Sequence, residues 1–514
     1  MSLAAVIDRP KPAPSSESAK ADETRSQAWR QWIGAACVTL AALAIRLALI
    51  SHQSFSMDEI SELAIAHGDL ESIVWEPDGF PPLYHVLLHG WLKLWGSDSA
   101  ARWLSAILGA ATVPFVWLIG QQVGGFRTAL ASSLLLALLP IHVYYCQEAR
   151  AYPLYALLAA ATLCYFFRAM DGDRRRDWAW YLLASTLGMY CHYYFASVIV
   201  LAGLLLLVER RAWPRLRRGL TANVLVVIAS LPLLWLLKSD LDLQTDYFAK
   251  AWFGLREFAF TYLSMFTGFT LGPSLREMHL MSTSQIVRGL LPWAATLGAS
   301  IAFLGCAGLA TMPSARWRVR LMLLTLGSVL LLGVIGNLAN VGYIVRYSSW
   351  VVIPVVVILG QGLAMARQRQ FAIACGVILT VGFAAAFYNH HFRDAYATED
   401  CRRLAEYLSA SPDRKLPVFV SSGYMVHAVA YYLGDAWAPV QLPNKIDDDA
   451  ALKTARELIA HHAPAGQPFW LVYTREFHGD PRGIFFEAAR ARYEIGQPQA
   501  RFAGIALYRG QAAH

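Results

Sequence analysis

Apolar residues in this chain come as long unbroken runs, not as an alternation with polar ones, and the runs recur from residue 31 to residue 388. About 20 consecutive apolar residues are what a helix needs to cross the hydrocarbon of a bilayer. The segments 31–50, 102–119, 129–146, 152–168, 178–195, 196–208, 220–237, 286–310, 320–337, 347–364 and 371–388 fit that pattern and predict about 11 transmembrane helices. The run 196–208 is short and borrows Tyr193, Tyr194 and Phe195 from the residues before it. After residue 388 the pattern changes. Short β-branched and aromatic stretches bounded by Gly, Pro and Asp predict strands at 417–421, 469–473 and 505–508, with helices at 397–408, 424–432 and 448–461. The expected fold is mainly α: a polytopic membrane domain over 31–388, then a small extramembrane α/β domain over 389–514, long enough to bury its own core.

Two of the polar intervals are more than connectors. The first, 51–101, predicts a helix from Met57 to His67, the turn EPDGFPPLY, and a helix from Leu83 to Trp95. The second, 238–285, contains REFAFTYLSMF, where Phe258, Tyr262 and Phe266 recur every four residues. That spacing suits a helix with its aromatic face in the headgroup layer.

Composition agrees with a membrane chain: 56% of residues are hydrophobic and only 16% are charged. The arginines set its direction. Arg168 with Arg174, Arg175 and Arg176, Arg210 through Arg218, Arg316 with Arg318 and Arg320, and Arg367 with Arg369 fall in alternate loops. By the positive-inside rule these loops, and the polar tail 1–30, face the cytoplasm. The net charge of +8 is then topology and no footprint of nucleic acid. Intervals 51–101 and 238–285, the QEARAY loop and the domain 389–514 fall on the far side. The tail 1–30 has the composition of a disordered segment and lacks a cleavable signal core, so the first run serves as an uncleaved anchor. Seven cysteines at no metal-like spacing, most of them inside the runs, read as apolar core residues without a disulfide framework.

The chemistry-bearing residues gather at the far-side ends of the runs. In SMDE, Ser56 and Glu59 have the spacing of a capping box, and Asp58 lies in the first turn, where a helix dipole favours an anion. In YYCQEARAYPLY, the spacing puts Tyr145, Glu148, Tyr152 and Tyr155 on one helical face, while Pro153 predicts a break near Tyr152 that turns Arg150 toward them. Two readings stand for this cluster: a Glu148–Arg150 pair that holds two helices, or a sugar or phosphate pocket. Arg346 opens a late run between Tyr343 and Tyr347, as an interfacial anchor or as a guanidinium clamp for a lipid phosphate. Arg256 and Lys93 are further candidates for that phosphate, and His192 is expected to line the cavity. His85 and His89 stand one helical turn apart, but no third ligand follows at a telling spacing, so no metal is assigned.

Taken in order, a run, then DE, then a PPLY turn, then Q-E-x-R-x-Y, then a late R-Y, this chain resembles the GT-C glycosyltransferases over about residues 31–365. It is similar in particular to family 39, which includes protein O-mannosyltransferases and the lipid A aminoarabinose transferases. The resemblance implies a bacterial inner-membrane enzyme that moves a hexosyl or pentosyl group from a polyprenyl-phosphate sugar to a lipid, glycan or protein acceptor on the periplasmic face, with inversion. It implies that Asp58 is the catalytic carboxylate with Glu59 beside it. Glu148 and Arg150 match the second-loop motif, and Arg346 with Tyr347 the late R-Y; Tyr145, Tyr152, His85, His192 and Arg256 complete the substrate-binding set. No cofactor is expected beyond the donor lipid, and a divalent metal has no support in the spacing. One departure stands out: the basic residue that often precedes the proline of the P-L-Y turn is replaced by Phe80-Pro81-Pro82, so the phosphate contact from that loop is either missing or supplied by His85 or Lys93. The alternative reading is a polytopic lipid or glycan transporter or flippase. It calls for repeated halves and helices interrupted at mid-membrane, and neither shows in the sequence.

Overall fold

The computed structural model describes residues 16–75, 80–238, 252–339, 343–464 and 467–511. Those residues are mainly helical, and six helices among them are long and apolar enough to cross a membrane. Every predicted run is helical over most of its length. Of the runs outside those six, 31–50 lies in the helix Ser16–Leu47, and the others form the shorter helices Arg175–Cys191, Ala196–Val208 and Leu216–Ser230. Large apolar side chains such as Leu40, Val200, Val227, Leu330 and Val381 face outward, which suits a lipid solvent and is costly in water. The chain is a multi-pass membrane protein.

Two boundaries differ from expectation. The first helix, Ser16–Leu47, begins well inside the tail expected to be disordered. The last of the three early prolines is Pro14, and the Ala, Glu, Lys, Arg and Gln that follow are good helix formers. The predicted runs 102–119 and 129–146 meet at a glycine hairpin inside Ala101–Leu138, where Gly124 and Gly125 leave helical geometry and Gly125 takes φ 77°. The two arms touch directly: a Cβ on Gly120 would come within 2.8 Å of the Ala129 Cα. Pro140 then opens a short helix, Pro140–Cys146, and the backbone turns through residues 147–151 before Tyr152–Gly172 begins. The break expected near Pro153 is therefore real, but Tyr145, Glu148, Tyr152 and Tyr155 do not share one helix. A turn brings them together.

The C-terminal region is a five-stranded sheet of order β2-β1-β3-β5-β4, with β1 Val418–Val420, β2 Val440–Gln441, β3 Pro468–Thr474, β4 Ala500–Phe502 and β5 Ile505–Gln511. β1 runs parallel to β2 and β3, while β5 runs antiparallel to β3 and β4. Alternation along each strand assigns its two faces. Val418, Val420, Trp470 and Val472 pack with residues of helices Cys401–Ala410 and Val426–Leu433, while Phe419, Phe469 and Leu471 pack with Asp449–His462 and Ile484–Arg492. The helix Ile484–Arg492 and the short edge strands β2 and β4 carried no sequence signal. The edge strands contribute only two and three residues to the ladder.

This domain is bonded to the loop after the first helix. Ser54 Oγ donates to Asp400 at 2.8 Å, the Phe55 N–H to Tyr432 at 2.6 Å, and Tyr431 donates to Asp98 at 2.8 Å. The arginine-rich loops lie at the opposite ends of the same helices. There Arg320 bridges Asp171 at 2.9 Å and Glu209 at 2.8 Å, tying together three helix ends.

Candidate active site

Asp58 is placed by the cap before it. Ser56 and Glu59 form the expected capping box at the start of Met57–Ala66, with Glu59 accepting from the Ser56 N–H at 2.8 Å. Glu59 has a second task that spacing did not show. Arg102 donates to both of its oxygens, at 2.6 and 2.8 Å, and the Ala149 N–H to one of them at 2.9 Å. Arg102 also donates to the carbonyls of Ile50, Gln53 and Ser54. Glu59 is wholly buried and thus clamps the loop that presents its neighbour.

Asp58 points the other way, with half of its side chain exposed at the floor of a cavity. It heads a chain of charges. Arg346 Nη1 donates to Asp58 Oδ2 at 2.8 Å, Arg150 Nη2 stands 3.7 Å from the same oxygen, and Arg150 Nη1 reaches the Asp58 carbonyl and Glu62, each at 3.2 Å. Glu62 continues to His85 at 2.5 Å. Arg150 and, after it, Arg346 hold the Asp58 carboxyl well below the usual carboxylate range, overcoming the opposing effect of burial. Glu148 is affected in the opposite sense. Burial, together with the nearby charge of Glu59, pushes its carboxyl up to about 7.

The cavity holds about 620 Å³, and its wall includes Asp58, Tyr145, Glu148 and Arg346. Other expected site residues stand behind that wall. Arg150 is buried against Phe80 and Tyr152, 5.4 and 5.6 Å from their rings. Tyr152 also faces Arg346 at 5.9 Å and lies 5.0 Å from the Tyr145 ring. His192 is corrected from a cavity-lining to a packing position. It stacks on Tyr155 at 4.8 Å and borders Tyr347, whose ring stacks on Tyr194. Tyr155 donates to the carbonyls of Tyr194 and Tyr347, so it too braces the wall from behind. His85 pairs with Glu62, and His89 bonds to the Ala66 carbonyl, so the two do not make a metal pair. The proposed Glu148–Arg150 pair does not form either, because Arg150 is directed at Asp58 and Glu62.

The opposite wall comes from residues that sequence reasoning passed over. Arg475, at φ 46° just after β3, donates to Glu399 at 2.9 and 3.0 Å, and both line the cavity with Arg276 and Phe477. The His279 ring stacks on Phe477 at 4.4 Å. The C-terminal domain thus closes one side of the site.

An apolar groove of about 930 Å³ runs from this cavity between helices Leu255–Thr267, Thr283–Thr311 and Val352–Met365, and shares Glu257, Phe260, Leu275 and His279 with it. Phe258, Tyr262 and Phe266, the aromatic repeat of the REFAFTYLSMF segment, line the groove, and Arg256 stands exposed at its edge. Lys93 is exposed on the helix Leu83–Trp95 and lines neither space. Among the described residues, no three His, Cys, Asp or Glu side chains converge as a metal-binding group.

Comparison with known proteins points the same way. Residues 80–236 match the family model described as dolichyl-phosphate-mannose-protein mannosyltransferase. No curated protein matches. Among solved structures, ArnT from Cupriavidus metallidurans in the apo state is similar at TM-score 0.54 and 14% identity, over 94% of this chain and 98% of that one. The same protein bound to undecaprenyl phosphate gives TM-score 0.54 and 14% identity over 93% and 98%. The Archaeoglobus fulgidus oligosaccharyltransferase, in its complex with Zn and sulfate, gives TM-score 0.51 and 13% identity over 92% of this chain and 73% of that one. At such identities the likeness is one of fold. The fold is that of the GT-C glycosyltransferases, as the order of motifs implied.

Proposed function

We propose that this chain is a membrane glycosyltransferase that moves a sugar from a polyprenyl phosphate to an acceptor at the face carrying the C-terminal domain. One observation carries the reading: a long apolar groove opens directly into a polar cavity that holds Asp58, Glu148 and Arg346. A prenyl tail suits the groove, and its phosphate would then meet the guanidinium of Arg346, whose planar fork matches phosphate oxygens. One of the solved structures of similar fold is bound to undecaprenyl phosphate, which fits that placement.

The ion pairs suggest an order of events. Bonded to Arg346 and near Arg150, Asp58 is a weak base. A donor phosphate competes for Arg346, and each bond that Arg346 gives to phosphate is one withdrawn from Asp58. The carboxylate then regains basicity in the complex in which it is needed. An acceptor hydroxyl loses its proton to Asp58 as its oxygen attacks the anomeric carbon. The bond from that carbon to the phosphate oxygen breaks, and the lipid phosphate leaves as an anion held by Arg346. A single displacement with one carboxylate inverts the anomeric centre, whereas a retaining route needs a second carboxylate as nucleophile.

The same reading takes the arginine-rich loops as cytoplasmic, the domain 389–514 as periplasmic in a bacterial inner membrane, and the eleven runs as crossings. Its test is binding followed by turnover. Gly298 lines the groove with open space beside it, so Gly298→Leu puts a side chain into the path of the tail. Undecaprenyl phosphate should bind the wild type in native mass spectrometry and be lost in Gly298→Leu, with transfer lost alongside. Equal binding by both proteins would refute the groove as the donor site.

A further inference from the structure

Asp58 and Glu62 lie four residues apart on the helix Met57–Ala66, so their carboxyls share one face. Arg150 reaches both, but not equally. Its Nη1 stands 3.2 Å from Glu62 Oε1, while its Nη2 is 3.7 Å from Asp58 Oδ2, beyond hydrogen-bond length. The other Glu62 oxygen lies 2.5 Å from His85 Nε2, a separation that requires a proton between them. Both oxygens of Glu62 are therefore committed, out of contact with water: Glu62 is 3% exposed and His85 1%. Neither lines the reaction cavity or the apolar groove, so neither touches a ligand there.

Anchoring that helix does not call for Glu62. Glu59, one turn earlier, already takes two bonds from Arg102 and one from the Ala149 N–H. A second buried carboxylate is costly, and what it gains here is a hold on Arg150. The Arg150 main chain is pinned, because Ser105 donates to its carbonyl at 3.3 Å and Tyr84 is bonded to Ser105 at 3.1 Å. From that fixed base the guanidinium divides itself between two carboxylates, and the share held by Glu62 is withheld from Asp58. Among the described residues, Arg346 alone makes a direct bond to the Asp58 carboxylate, at 2.8 Å on the same oxygen that Arg150 stops short of.

We propose that Glu62, backed by His85, is a positioning residue for transfer: it keeps the Arg150 guanidinium off the Asp58 carboxylate, so that a donor phosphate frees Asp58 by taking Arg346 alone. This rests on the transferase reading and adds the device that makes Asp58 releasable. Without the Glu62 charge, Arg150 closes to the roughly 2.8 Å of a direct charged pair. At an effective dielectric near 20, closing from 3.7 Å strengthens its hold on Asp58 about tenfold. Two arginines then crowd one oxygen and repel each other. Arg346 passes to phosphate more readily, while Asp58 stays neutralised after it has gone.

The test titrates the full chain in nanodiscs with undecaprenyl phosphate. Glu62→Gln keeps the side chain's size and should bind the lipid about three- to tenfold more tightly than the wild type, a gain that loss of a mere brace would not produce. Glu62→Asp restores the charge and should return affinity toward the wild-type value. The gain should vanish when Glu62→Gln is placed in an Asp58→Asn background, because it acts through that carboxylate. His85→Phe strips Glu62 of its proton-bearing partner and should show a smaller gain of the same sign, so it carries the test if Glu62→Gln does not fold. Unchanged or weaker binding in Glu62→Gln, or in His85→Phe where that protein stands in, overturns the proposal. So does a gain that survives in the Asp58→Asn background, which would be a direct effect of charge on the phosphate. Absence of binding by the wild type overturns the transferase reading instead.

Discussion

Two ionic clusters lie at opposite ends of the same helices, built from the same residue types and put to different ends. At the arginine-rich end, Arg320 is 1% exposed and both halves of its guanidinium are bonded to carboxylates, Asp171 and Glu209. Each charge faces its partner, and Arg320, Asp171 and Glu209 line neither the reaction cavity nor the apolar groove. At the other end, the series Arg346, Asp58, Arg150, Glu62 and His85 is just as continuous, but its outer members face a cavity of about 620 Å³. A saturated cluster ties helices together. An open one keeps a carboxylate and a guanidinium available to a ligand. Partnership alone does not separate the two roles; exposure to a shared space does.

The comparison is broken most severely at Asp58. Asp58→Asn keeps the side chain's size and leaves the capping box of Ser56 and Glu59 intact, so the fold should hold. Transfer should fall roughly 100- to 10,000-fold, the range for loss of a positioned general base. Donor binding should persist, since the change removes a negative charge beside the phosphate site. Near wild-type turnover would remove Asp58 as base and favour an acceptor that is already anionic.

Next come two variants that affect stability before turnover. Capping alone would make Glu59→Gln cost about 1 kcal/mol. The buried pair with Arg102 raises the expectation to about 3–5 kcal/mol, because the guanidinium is left without a counter-charge. Arg320→Gln should cost less, roughly 1–3 kcal/mol, since Asp171 and Glu209 are partly exposed and can be solvated. Thermal unfolding in detergent ranks the two. The surviving Arg320→Gln protein should transfer sugar at the wild-type rate, and a specific loss of turnover there would blur the contrast between the two ends.

Much of this site is legible in the sequence. Asp58, Glu148, Arg150 and Arg346 are charges at the margins of apolar runs, where a charge must find a partner or a cavity, and all four converge. The capping box was legible because it is local. Partners distant in sequence were not. Glu62 looks like a solvent-facing residue of a short amphipathic helix, and Arg102 like one more interfacial anchor, until the fold sets them against Arg150 and Glu59. The Arg475–Glu399 pair joins the end of β3 to the connector after the last long helix, and no periodicity links those two positions. The run count shows the same limit. Hydropathy places the apolar runs 102–119 and 129–146, but only the Gly124–Gly125 backbone shows that they form a hairpin.

Arg346 sharpens the comparison from the ligand side. If its fork serves a phosphate, Arg346→Ala should weaken undecaprenyl phosphate binding roughly 10- to 100-fold, the scale of a charged hydrogen bond. Lysine keeps the charge but not the paired donors, so Arg346→Lys should fall between Ala and wild type. If Arg346 only braces Asp58, both variants should bind donor normally and lose turnover alone. Isothermal titration in nanodiscs, paired with single-turnover transfer, separates the cases.

The smallest effect should come from Glu148, and it has a sign. Its carboxyl is raised to about 7, by burial first and then by the charge of Glu59, so it passes from neutral to anionic as pH rises through the neutral range. It lines the same cavity as Arg346, and a negative charge there repels a phosphate. Donor affinity should therefore be higher below pH 7 and fall as Glu148 ionises, by on the order of 1 kcal/mol for charges several ångströms apart at an effective dielectric near 20. Bound phosphate in turn favours the protonated acid, so in the complex the midpoint should lie higher than in the free protein. Glu148→Gln is neutral at every pH and should hold the low-pH affinity throughout, flattening the profile. A slope that survives in Glu148→Gln would assign the titration to another group, the donor phosphate itself being the first to check.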